Sequence, residues 1–124
     1  MNLNSLGLIA AASAFFGIWL GHVSVRAIER RAERLWIPIA AALGLGAALE
    51  IASLTAQSRG WSAASGILGM TVLWSALEFR RQEKRIRRGH APANPANPRH
   101  ARILAQFPAA TPRDPFADLT EEER

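Results

Sequence analysis

Three ionisable side chains, His22, Glu50 and Glu78, stand inside otherwise apolar stretches of this 124-residue chain. A titratable group placed in an apolar layer is costly to hold there, so each is a first candidate for function. His22 lies one helical turn before Arg26, and Glu78 lies just before Arg80. Both belong to stretches that run in the same direction, which places them at similar depth. A hydrogen bond or ion pair between His22 and Glu78 is one reading; the other is that each reaches the polar boundary on its own. Glu50 precedes Gln57 by seven residues, about 10 Å along a helix from the end of its stretch. No basic residue lies within two turns of it except Arg59, beyond a turn. Its carboxyl is then protonated, bonded to nearby Ser or Thr hydroxyls, or open to a polar cavity. A structural hydrogen bond is the expectation, and a proton or cation pathway the sharper alternative.

Other chemistry lacks its residues. There is no paired-carboxylate motif, no metal-ligand spacing of histidines, no Gly-rich phosphate loop and no nucleophile–base arrangement. With no cysteine, disulfides, thiolate metal sites and a cysteine nucleophile are excluded. A lone histidine such as His22 can ligate haem, but nothing else in the sequence builds a cofactor pocket. The expectation is a non-enzyme with no catalytic residue, cofactor or metal.

The elements that must position these side chains are three apolar runs, residues 6–25, 35–56 and 61–77. Twenty residues of helix rise ~30 Å, the hydrocarbon thickness of a bilayer. The expected fold is therefore all-α: three transmembrane helices, a basic helix extension beside the membrane, and a Pro-rich C-terminal tail. The near-neutral mean hydropathy of +0.03 averages a very apolar first part with a polar end. The expected organisation is a membrane domain over residues 1–89 and a cytoplasmic tail over 90–124. Ala12-Ser13-Ala14 mimics a signal-peptidase site, but residues 1–11 carry no Lys or Arg and the apolar run continues past it. The first run is read as a retained helix.

Orientation follows from the basic residues of short flanking segments. The N-terminus has none and the second loop only Arg59, whereas the first loop has Arg26, Arg30, Arg31 and Arg34. Six more, Arg80, Arg81, Lys84, Arg85, Arg87 and Arg88, follow the third run. Every segment agrees with an N-terminus outside and a C-terminus on the cytoplasmic side. The six-residue cluster points to anionic lipid headgroups rather than nucleic acid, with Ile86 reaching back to the acyl boundary. Trp36 and Trp61 fall at opposite interfaces, as an aromatic belt places them.

Small residues recur every four positions: Ser13, Gly17 and Gly21 in the first run, Ala40, Gly44, Ala48 and Ala52 in the second, Ser62 with Gly66 and Ser65 with Gly69 in the third. Such stripes let helix backbones approach closely, within one chain or between chains. Beyond the basic cluster, Gly89 is a helix stop, residues 90–98 read as extended and turn-rich, and residues 101–107 allow one short helix against the membrane or a partner. Residues 111–124, with two prolines and five acids, read as disordered in isolation.

Several of these motifs resemble one family. They are Asn4-x-x-Gly7, His22 at the end of the first run, Trp74-Ser75-x-x-Glu78, and Gln82-x-x-Arg85-Ile86-x-x-Gly89 followed by Pro92-x-Asn94-Pro95. Together they are similar to a group of small bacterial three-span membrane proteins, domain of unknown function 4491. The resemblance spans residues 3–98, departing at Val23, where a proline is usual, and at His90-Ala91, where aromatic residues are usual. It implies the three-span topology in a bacterial cytoplasmic (inner) membrane, and no reaction.

The functional expectation is a structural or accessory subunit that packs with other membrane helices, in a partner protein or a homo-oligomer, and sets a basic face on anionic headgroups. The alternative is a small oligomeric transporter or channel using Glu50. A membrane-anchored module whose tail docks a cytosolic partner is a third.

Overall fold

The structure is a computed structural model that describes residues 3–117. It is all-helical, with α1 (Leu6–Arg31), α2 (Trp36–Thr55), α3 (Arg59–Arg87) and α4 (Pro98–Gln106). The local reasons are visible at the helix ends. Leu6 N–H donates to Asn4 Oδ1 at the start of α1. Pro38 is the third residue of α2, inside the first turn, where its missing N–H breaks no bond. Ser58 caps α3 by accepting from Trp61 N–H, which draws Arg59 and Gly60 into the helix ahead of the apolar run. Asn97 caps α4, accepting from Arg99 N–H, with Pro98 at the first helical position.

Three of the helices, α1, α2 and α3, are long and apolar enough to cross a membrane. Within their most apolar windows only 6%, 11% and 17% of residues are buried. Leu8, Phe15, Trp19, Leu54 and Trp61 are all more than half exposed. So continuous an apolar surface needs a non-aqueous surrounding. At 29 residues, α3 is about 43 Å long and outruns a ~30 Å hydrocarbon layer. Its last turns are the basic extension expected beyond the third span.

Helix α3 is the centre. It packs along both α1 and α2, whereas α1 and α2 scarcely meet. On the α1 side, Gly17 lies against Leu68 and Thr71, and Gly21 against Ser75 and Thr71, so the stripe expected in the first run does make a contact. On the α2 side, Gly66 lies against Ser53, and Gly69 against Leu49 and Glu50. The α2 stripe differs from expectation. Ala40, Gly44, Ala48 and Ala52 are exposed, and the contacting face carries Ala42, Gly46, Leu49, Glu50 and Ser53. The face with Glu50 and Ser53 turns inward, and of the two it is Ser53 that finds hydrogen-bond partners there. Ser53 and Ser62 complete that join: each hydroxyl donates to the other's backbone carbonyl, at 2.7 and 2.9 Å.

Two apolar clusters organise the interior. Val25, Ala42, Ala76 and Phe79 join the three long helices. Ile86, Ala91, Ala93 and Ile103 join the end of α3 to the segment beyond it. Ile86 is 1% exposed, which corrects the expectation that it reaches the acyl boundary: the chain after Gly89 folds back and covers it. Gly89 makes that reversal. Its φ is +75° and a Cβ there would stand 2.3 Å from the Ala109 carbonyl oxygen, so both the left-handed backbone and the close approach require glycine.

Candidate functional site

A helix leaves its last carbonyls without intrahelical partners, and at the end of α1 they need donors from elsewhere. The returning segment supplies them. Asn97 Nδ2 donates to the Arg30 and Ala32 carbonyls, both at 3.0 Å, and Asn94 Nδ2 donates to Arg30 at 3.2 Å. Arg99 Nε donates to the Ala32 carbonyl at 3.0 Å and its Nη2 to the Glu29 carbonyl at 2.6 Å. Amide and guanidinium hydrogens also complement the negative end of the helix dipole.

The same arginine holds two carboxylates. Its Nη2 donates to Glu29 Oε1 and its Nη1 to Glu83 Oε2, each at 2.6 Å. Glu29 is fully buried on α1, Glu83 lies on the α3 extension, and Arg99 is 8% exposed on α4. Arg87 binds the other oxygen of Glu83 and sets its guanidinium over the Phe107 ring at 4.9 Å. His100, also fully buried, fixes its own tautomer: its Nδ1 accepts from Asn94 N–H at 2.9 Å, so Nε2 carries the hydrogen and donates to Glu29 Oε1 at 3.0 Å. The 3.1 Å approach of Arg99 Nη2 to His100 Nε2 is then two donors converging on one carboxylate oxygen. Glu29 Oε2 is buried with no hydrogen-bond partner.

The residues singled out from the sequence do not assemble into one site. His22 is exposed on α1. Glu78 bonds instead to Arg81, at 2.9 Å one turn along α3, so no His22–Glu78 pair forms. Glu50 does sit at a helix contact, but not as expected. Its Oε1 is buried against Gly69 without a hydrogen-bond partner, while the neighbouring hydroxyls of Ser53 and Ser62 are engaged with backbone carbonyls. Of the headgroup residues, Arg80, Arg81, Lys84 and Arg88 are exposed. Arg81 is turned to Glu78 and the Trp74 ring, Arg85 to Gln82 and Arg87 to Glu83. Among the described residues no cluster of His, Cys, Asp and Glu could hold a metal ion.

Comparison with protein families gives a match over residues 4–97, most of the chain. The chain belongs to the family described as Domain of unknown function (DUF4491). No curated protein and no solved structure matches it. The DUF4491 region contains Glu29, Glu83, Asn94 and Asn97, and Arg99 and His100 follow directly after it. The joint at the base of α1 was thus half hidden from sequence reasoning. Asn97-Pro98 is a helix-start signal and announces α4. Nothing local announces that Arg99 finds Glu29, 70 residues away.

Proposed function

We propose that this DUF4491 chain is a multi-pass protein of the bacterial cytoplasmic membrane, N-terminus outside, serving as a non-enzymatic structural or accessory subunit. It packs laterally with other membrane helices, in a partner or a second copy, and rests its basic end on anionic headgroups. The observation that carries this reading is the joint of Glu29, Arg99, His100 and Glu83. Apart from the buried Glu29 Oε2, its ionisable groups are engaged with one another and with the end of α1, which supports bracing rather than a reactive arrangement. The exposed Ala40, Gly44, Ala48 and Ala52 face supports lateral packing, and exposed Arg80, Lys84 and Arg88 support the headgroup contact. The joint then lies on the cytoplasmic side, the side with the basic loops.

Reporter fusions at residues 1, 58 and 124 test the topology: a cytoplasmic reporter is expected to be active only at 124, and activity at 58 overturns it. Purification of the full chain in mild detergent after crosslinking tests the role. A stoichiometric membrane partner or a defined homo-oligomer is expected, and a bare monomer in every preparation contradicts it. One observation favours a second reading, a small oligomeric transporter or channel: the unpartnered Glu50 Oε1. For a transport role Glu50→Gln leaves assembly intact and abolishes flux, whereas for a packing role Glu50→Gln is tolerated throughout.

A further inference from the structure

Because α1 and α2 both lean on α3 and scarcely meet each other, a lateral groove of about 1030 Å³ opens between them. Its walls include Leu20, Ile28, Ala41, Leu45, Val72 and Phe79, and Arg31 and Arg34 stand at one end. We propose that this groove binds one anionic glycerophospholipid, its phosphodiester held by Arg31 and Arg34 and an acyl chain lying along α3.

Length, charge and position agree on that occupant. From Gly17 to Arg31 the α1 wall is about 21 Å long, enough for the acyl layer of one leaflet, half of a ~30 Å core. Arg31 and Arg34 are exposed and engage no carboxylate among the described residues. Glu33 shares the rim and leaves it one positive charge in excess, so a singly charged phosphodiester fits. The α1 carbonyls that would repel an anion are already occupied by Asn94, Asn97 and Arg99. The positive end of the α2 dipole lies at the same rim; it offers no row of free N–H groups, because Ile37 N–H donates to the Arg34 carbonyl and Pro38 has none. A second protein helix would have to place its own charges against this rim, whereas a lipid brings the phosphate and the apolar chain in one molecule. The inference rests on the membrane reading, but not on which end faces the cytoplasm nor on an accessory role.

Native mass spectrometry of the full chain, delipidated in mild detergent, tests it with phosphatidylglycerol, phosphatidylcholine and free glycerol 3-phosphate. One phosphatidylglycerol is expected to bind in preference to phosphatidylcholine, and glycerol 3-phosphate is expected not to compete. Arg31→Ala and Arg34→Ala should each weaken phosphatidylglycerol binding about fivefold. Arg59→Ala, which changes an exposed arginine at the far end of α3 and outside the groove, should not. Leu45→Trp, which fills the groove from an exposed position, should remove both lipids while the arginines remain. Equal retention of the two lipids, an equal loss from Arg59→Ala, displacement by glycerol 3-phosphate alone, or a dimer that excludes lipid from the groove would each overturn the proposal. The lipid-preference, competition and arginine outcomes do not depend on the reporter or co-purification results.

Discussion

Arg99 joins two long helices through two carboxylates, Glu29 on α1 and Glu83 on the α3 extension. Removing one partner of a buried pair is far more damaging than replacing both, because the survivor is left charged and dry. Arg99→Ala should therefore destabilise the chain by about 3–5 kcal/mol, read by thermal or denaturant unfolding in detergent. Adding Glu29→Gln should recover a large part of that loss, because a neutral amide can still accept from His100 and carries no unpaired charge. If the two losses simply add, the pair is not coupled. Little of this was legible in the sequence. Glu29 and Glu83 look like ordinary members of charged helical segments, and Arg99 like one basic residue of a polar tail. Their meeting depends on the reversal at Gly89, and sequence separation conceals it. Glu50, by contrast, stands out in any reading as a charge in an apolar run. What the sequence could not supply was its neighbour: a hydroxyl was expected, and the carboxyl instead lies against the bare backbone face at Gly69.

The three long helices and the basic extension are legible because length and hydropathy alone define them; which face packs is not. In α2, small residues lie at four-residue spacing on more than one face, and the face with the cleaner small stripe points outward. The inward face is the one that carries the polar side chains Glu50 and Ser53, of which Ser53 bonds to Ser62 on α3. That choice predicts opposite outcomes for two glycines in one helix. A Cβ at Gly46 would stand 2.6 Å from Leu73 Cγ and 3.0 Å from the Gly69 carbonyl. Backbone cannot yield as a side-chain tip does, so Gly46→Ala should force α2 from α3 and cost about 1–3 kcal/mol. A Cβ at Gly44 would meet nothing within 4 Å. Gly44→Ala should leave the isolated chain as stable or raise its stability by about 0.5–1 kcal/mol, since alanine loses less backbone freedom in a helix. Unfolding curves of the two variants decide it: equal effects would mean that the outward stripe, not the inward face, makes the contact.

At the scale of the molecule, the two ends obey different physics. The three long helices are apolar enough to cross a membrane, and their internally bonded backbones need nothing from the returning segment to do so. The base of the bundle is held by that segment, through buried Ile86, Ala91, Ala93 and Ile103 and the Arg99 joint. A chain ending at Gly89 should therefore insert all three spans with unchanged topology, yet unfold at lower temperature than the full chain. Truncation also gives water access to Glu29, whereas Arg99→Ala leaves the rest of the cover in place over a bare carboxylate. The two variants thus differ in kind. Arg99→Ala should loosen the segment, so that trypsin cuts after Arg102 faster than in wild type, and adding Glu29→Gln should slow that cut again. In the chain ending at Gly89, Glu29→Gln should change stability little, because a solvated carboxylate has no unpaired charge to relieve. An equally large effect of Glu29→Gln in both backgrounds would show that Glu29 is governed by the spans rather than by the segment that covers it.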